Sequence, residues 1–311
     1  MLRQLASCIL SLVLIGPIHA QGAPPVSLAG TQQYDLKSTV NGREYRLYVA
    51  PPVGYAKGDT TRYPVLYVLD GHFAFPAAVS AREYMGIFRE LEDVIIVGIG
   101  EGDYSFTAWF KDRWRDYTPS PDPSTDSSFA RQYKLPVETV RSGGGRDFLQ
   151  ALRNDLIPFI DTAYRTTGDR GLTGHSLGGL FTAYALFAAP DLFQRYGINS
   201  PSLWWNTSEM FKTESAFAAT HTALPKRVLI TVGANEGASM VPPMGKFASV
   251  LGSRGYQGLV MDTVVFQGES HTSVGPAMMA RTHSRALWKT ALTSCQEPAN
   301  TPLQPTGSAA G

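Results

Sequence analysis

Two apolar runs, Val65 to Leu69 and Val94 to Ile99, carry no polar alternation. A strand that shows water no polar face is covered on both sides, which is the pattern of a parallel sheet held between helical layers. A helical segment over about Ala77 to Leu91 lies between the runs and completes a βαβ unit. Before them, Arg43 to Val49 is half polar and suits an edge hairpin. Farther along, apolar strands at Gly171 to Gly174, Tyr196 to Ser200, Arg227 to Val232 and Leu259 to Phe266 alternate with helical segments. Those segments are Leu177 to Ala189, a stretch near Met210, Lys246 to Leu251, and Ala277 to Leu292. Arg146 to Tyr164 is also helical, with a kink expected at Pro158. Strand and helix in alternation, with no internal repeat and no linker, predict one doubly wound α/β domain with a mostly parallel sheet and helices on both faces.

One stretch does not fit this rhythm. From Asp103 to Gly145 no strong period is present, and the segment holds Thr118-Pro119-Ser120-Pro121-Asp122-Pro123 and Ser142-Gly143-Gly144-Gly145. A long structureless insertion in a compact domain belongs to a lid or a binding loop, and that is the expectation here.

The ends of the chain have a different character. Arg3, an apolar run from Ile9 to Ile15, Gly16-Pro17 and then Ala20 describe a signal peptide over residues 1–20, cleaved near Ala20, which predicts an exported protein, periplasmic or secreted. The run is too short to span a bilayer, and Leu5-Ala6-Ser7-Cys8 precedes it, the wrong side for a lipid attachment, so no stable membrane anchor is expected. Cleavage leaves Cys295 as the only cysteine, which cannot form an internal disulfide. Gln296 to Gly311 lacks large apolar residues apart from Leu303 and is expected to be a disordered tail, leaving residues 21–295 as the folded domain. With 43% hydrophobic residues this domain can bury a large core. A formal net charge of +1 and the absence of long like-charge runs argue against nucleic acid as a partner and favour a small molecule.

The chemistry centres on Gly174-His175-Ser176-Leu177-Gly178, placed after one expected strand and before an apolar helix. In that context a G-x-S-x-G sequence forms a nucleophile elbow, with Ser176 on a strained turn above the sheet and its glycines letting strand and helix approach. A serine hydroxyl needs a base. Of the histidines downstream of the leader, His175 adjoins the serine, and on such a turn its side chain should point away from Oγ, which suits packing or hydrogen bonding. His221 in a polar loop and His283 in the last helix suit the surface, and His72 lies in the loop after the strand Val65 to Leu69. His271, in Gly268-Glu269-Ser270-His271 after the last strand, is where this architecture delivers its base. The carboxylate that orients it should follow the strand Arg227 to Val232, where Glu236 stands; Asp262 lies within a strand and Glu269 too close to the base. Without Glu236 a Ser-His dyad remains workable. The oxyanion donors expected are the Leu177 backbone N–H and that of Gly71 or His72, in the loop after Leu69. No cluster with metal-ligand spacing is present, and no cofactor is expected.

Several segments together resemble a known family. They are Tyr63 to Gly71, Arg113 to Pro119, the stretch around Arg146, Leu172 to Leu180, Ser200 to Trp204, and Gly268 to His271. Their content and order are similar to those of the esterase D-like branch of the α/β-hydrolases, and within it to exported trilactone siderophore esterases that act on ferric enterobactin and related catecholates. The resemblance runs from about Tyr34 to Leu292. It implies an α/β-hydrolase fold, Ser176 as nucleophile, His271 as base, Arg113 as a contact to an anionic substrate group, and Trp204 lining the acyl pocket. Arg115, beside Arg113 in the Pro-rich loop, suits the same clamp by its bidentate guanidinium. The other readings are a general carboxylesterase, a feruloyl-type esterase or an acyltransferase, and, from another class, an inactive hydrolase fold that only binds.

Overall fold

The computed structural model describes residues 27–55, 58–87, 93–103 and 105–283. The expected signal peptide, Cys295, the tail and the end of the last helix lie outside them. The chain opens with an antiparallel hairpin of β1 (Gln32–Lys37) and β2 (Glu44–Ala50). Then follow β3 (Tyr63–Val68), α1 (Gly71–Ile87) and β4 (Ile95–Glu101). The second half alternates as expected: β5 (Thr166–His175), α6 (Leu177–Ala188), β6 (Arg195–Asn199), α7 (Trp205–Ala218), β7 (Arg227–Gly233), α8 (Val241–Ser253), β8 (Val260–Phe266) and α9 (Gly275–Thr282). The strands form a single sheet in the order β1-β2-β4-β3-β5-β6-β7-β8, and every pairing from β4 to β8 is parallel. This is the mixed, mostly parallel sheet of an α/β-hydrolase.

Its two faces carry two cores. In β3, Val65 and Tyr67 pack on one side with Phe148, Leu180, Phe181 and Phe193, while Leu66 and Val68 pack on the other with Phe75, Val79 and Met278. Both sets are fully buried, which is why the sequence shows no alternation there. Burying a Val, Leu or Phe side chain contributes about 1.5–3 kcal/mol, so the central strands are the rigid floor on which the site stands.

The stretch from Asp103 to Gly145 is not structureless. It contains α2 (Phe106–Asp116) and α3 (Pro123–Gln132), and it leads into α4 (Gly145–Ala151). Ser105 caps α2 by accepting from the Ala108 N–H, and Asp122 caps α3 with Pro123 in its first turn. Phe106, Phe110 and Trp114 recur every fourth residue and so share one face of α2. Phe110 and Trp114 meet Phe129 of α3 at ring-centroid distances of 5.7 and 4.1 Å. The Pro- and Gly-rich ends hid a short aromatic helix pair. After α4 the helix passes through a π turn (Leu152–Leu156) into α5 (Ile157–Ala163), so the irregularity expected at Pro158 sits just before it. Helix α1 also starts earlier than its apolar pattern suggests, directly at Gly71. No helix among the described residues is long and apolar enough to cross a membrane.

Candidate active site

Three adjacent strands end in a non-glycine residue with positive φ: Asp70 after β3 (54°), Ser176 after β5 (62°) and Ser200 after β6 (41°). Such conformations cost on the order of 1–3 kcal/mol each and persist only where neighbours hold them. Ser176 is held on both sides. Its N–H donates to Asn199 O at 3.1 Å, and its carbonyl accepts from the Ser202 N–H at 3.1 Å. The turn needs two glycines: Gly174, as expected, and Gly179 in place of the expected Gly178. A Cβ on Gly174 would lie 2.4 Å from Gly178 O, and one on Gly179 would lie 2.4 Å from Asn199 O. At Gly178 the nearest atom, Asp70 Oδ2, would be 3.4 Å away, close to an ordinary contact. The backbone of Gly178, more than its missing side chain, is what Gly174 accommodates.

The structure brings Ser176, His271 and Glu236 together from three loops. His271 Nε2 lies 3.0 Å from Ser176 Oγ, and its Nδ1 lies 2.6 Å from Glu236 Oε2. A carboxylate can only accept, so Nδ1 carries the ring proton and Nε2 is left to accept from the serine hydroxyl. Glu236 Oε1 accepts from Ser200 Oγ and from the Gly233 N–H, each at 2.6 Å. Its side chain is fully buried. Burial pushes the carboxyl pKa up, but the hydrogen bonds from His271, Ser200 and Gly233 outweigh it and hold the group below its usual range. A charged carboxylate therefore faces the imidazole.

The expected oxyanion donors stand at helix starts. Leu177 opens α6, while Gly71 and His72 open α1, and first-turn N–H groups have no acceptor within their own helix. The side chain of His72 turns away from the nucleophile, with Nδ1 2.7 Å from Tyr48 Oη and Nε2 3.1 Å from Glu101 Oε2. It ties the start of α1 to β2 and β4.

The two arginines expected to face substrate are both paired with carboxylates of the protein. Arg113 is buried and donates from Nε and Nη2 to Asp70, and Arg115 pairs with Asp112 and Asp116. Both sit in α2, not in a loop, and the helix turns them onto carboxylates. Trp204 is half-buried in the connection after β6, with its ring 5.8 Å from that of Trp205. His221 is exposed, as expected. His283 is not at the surface: it is fully buried at the end of α9, with Nδ1 2.8 Å from Met279 O.

Three neighbours were not anticipated as parts of the site. Ser200 had only the Ser-Pro step after a strand as its signal, and Asp70 was read as part of a loop. His175 lies with its ring 4.4 Å from that of His271.

A serine on a strained strand-to-helix turn, a histidine oriented by a buried carboxylate and a mostly parallel sheet beneath them define a serine hydrolase of α/β-hydrolase fold. Residues 38–296 match the model of the family described as "Putative esterase". The chain belongs to that family and is an ester-hydrolysing enzyme. It is 30% identical over 282 residues to the ferri-bacillibactin esterase BesA of Bacillus subtilis, covering 84% of this chain and 91% of the relative. Among solved structures it is similar to the BES protein from Bacillus cereus, with a TM-score of 0.73 at 26% identity, covering 86% of this chain and 98% of that one. It is also similar to an IroE-like serine hydrolase from Shewanella oneidensis, with a TM-score of 0.69 at 26% identity and 81% and 78% coverage.

Proposed function

We propose that the protein hydrolyses the ester bonds of a trilactone catecholate siderophore such as enterobactin, in its ferric or iron-free form. The observation that carries the chemistry is the Ser176, His271 and Glu236 relay, with its 3.0 and 2.6 Å contacts. Ser176 Oγ attacks the ester carbonyl while His271 Nε2 takes its proton. The tetrahedral oxyanion is bound by the N–H of Leu177 and that of Gly71 or His72. Collapse expels the alcohol, which receives the proton from His271. Water then attacks the acyl-serine by the same route and frees the acid. The relative that acts on ferri-bacillibactin supports the siderophore reading, since the match covers most of both chains. Residues 21–295 form the catalytic unit on this reading, with 1–20 as the leader that exports it and 296–311 as a tail.

Side-by-side kcat/KM values on ferric enterobactin, iron-free enterobactin and p-nitrophenyl butyrate, for the mature protein and Ser176→Ala, test the proposal. It expects a strong Ser176-dependent preference for the trilactone. Turnover of the small ester alone would leave a general esterase. No turnover, with no fluorophosphonate labelling of Ser176 in a folded sample, would favour a binding protein.

A further inference from the structure

His175 is part of the elbow, yet the relay does not use it. Its ring centroid lies 4.4 Å from that of His271, with the planes inclined by 37°. Its Nε2 is buried without a hydrogen-bond partner among the described residues. A buried polar nitrogen left unpaired is unusual, and the contact that the ring does make is the one with His271.

We infer that His175 is a positioning residue for the catalytic imidazole: its neutral ring packs at a tilt against His271 and stabilises the imidazolium that forms when Ser176 gives up its proton. The inference rests on the relay proposed above and concerns the step at which His271 becomes a cation. A cation over a π face is attracted by the ring quadrupole, and the attraction grows when water is excluded. Nothing is consumed in this role, since the proton moves only between Ser176 Oγ, His271 Nε2 and the leaving alcohol.

The platform must stay uncharged to work. Burial, the nearby His271 and then Arg113 pull the His175 pKa down to about 3, against weaker opposing pulls from Asp70 and Glu236. The charged or titratable groups that act on His175 are therefore His271, Arg113 in α2, Asp70 after β3, and Glu236, which is bonded to His271 Nδ1. Arg113 and Asp70 are paired with each other, so the local balance changes little as His271 charges.

The test uses His175→Leu, which fills similar space without a π face, and His175→Phe, which restores one. The expected result is a loss of about tenfold in kcat/KM for His175→Leu, with KM little changed and the acid limb of the pH–rate profile moved down by about one unit. His175→Phe should recover most of the rate and the position of that limb. Equal behaviour of the two variants, whether both impaired or both active, would overturn the inference. An NMR titration of the His271 ring in the two variants gives the same comparison without any substrate. It separates failure of this inference from failure of the esterase reading, which would appear as an inactive parent protein. If His175→Leu does not fold, the parent and His175→Phe still decide: a His271 titration displaced in His175→Phe contradicts the platform.

Discussion

Arg113 closes a two-pronged pair on Asp70, Nε to Oδ1 at 2.8 Å and Nη2 to Oδ2 at 3.2 Å, and Trp109 Nε1 donates to the same Oδ1 at 3.0 Å. The Asp70 N–H donates to Tyr117 Oη at 3.0 Å. Asp70 sits at positive φ immediately before Gly71. The pair thus holds the turn that leads into the start of α1, where the proposed oxyanion donors Gly71 and His72 stand, and α2 acts as a brace for that turn.

From this bracing role, Arg113→Ala should lower kcat/KM on neutral and anionic esters by similar factors. It should also destabilise the fold by about 3–5 kcal/mol, because it strands a buried carboxylate. Parallel assays on p-nitrophenyl butyrate and a catecholate ester, with urea unfolding, check both parts. A loss confined to the anionic ester would instead return Arg113 to a direct substrate contact.

For Glu236, the 2.6 Å contact to Nδ1 predicts a full triad and not a dyad. Glu236→Gln should reduce kcat by about a thousandfold or more with KM little altered, since the imidazole loses both its preferred tautomer and the charge that stabilises its cation. Steady-state kinetics suffice; a loss of only a fewfold would indicate that Ser176 and His271 work alone.

Ser200 is expected to matter through Glu236. Removing its hydroxyl with Ser200→Ala deletes one of the hydrogen bonds that hold the carboxyl pKa down, so the Glu236 pKa should rise. A carboxylate held by one bond fewer should orient His271 less firmly, so kcat should fall while KM changes little. Steady-state kinetics in which this variant's kcat equals the parent's would show that the Ser200 bond is dispensable.

The elbow predicts a stability effect at Gly179, which lies outside the G-x-S-x-G pattern. Gly179→Ala would press a methyl group against the Asn199 carbonyl, and backbone atoms cannot swing aside, so a destabilisation of about 3 kcal/mol is expected. Thermal or urea denaturation gives the value directly.

His283 predicts acid sensitivity. Burial pulls its pKa from 6.5 down to about 4, partly opposed by the Met279 carbonyl and assisted by Arg82. Below pH 6.5 the unfolded chain takes up a proton that the native state refuses until about pH 4. Stability from this group is therefore lost as pH falls through that window, by about 1.4 kcal/mol per unit, and the loss levels off below it. Urea unfolding of the parent and His283→Leu between pH 4.5 and 7 should show the shallower slope in the variant.

The sheet, its parallel core and the elbow were legible in the sequence because each is written in local terms: unbroken apolar runs, strand-to-helix alternation, and a serine between glycines. His271 and Glu236 were legible by chain order, since each follows an identifiable strand. Solvent exposure and pairing were not legible in this way. Arg113 looked like a free cation in a Pro-rich loop, but the aromatic packing of α2 against α3 makes that stretch helical and turns the guanidinium onto Asp70. Likewise His283, one residue past the last turn of α9, gives no local sign of being buried. The sequence by itself determined which residues end the strands and form the candidate relay, because backbone periodicity and turn strain are properties of neighbours along the chain. Only the tertiary structure decided that Arg113 neutralises Asp70 and that His175 lies beside His271, because those pairings join residues tens of positions apart and depend on how helices pack across the sheet.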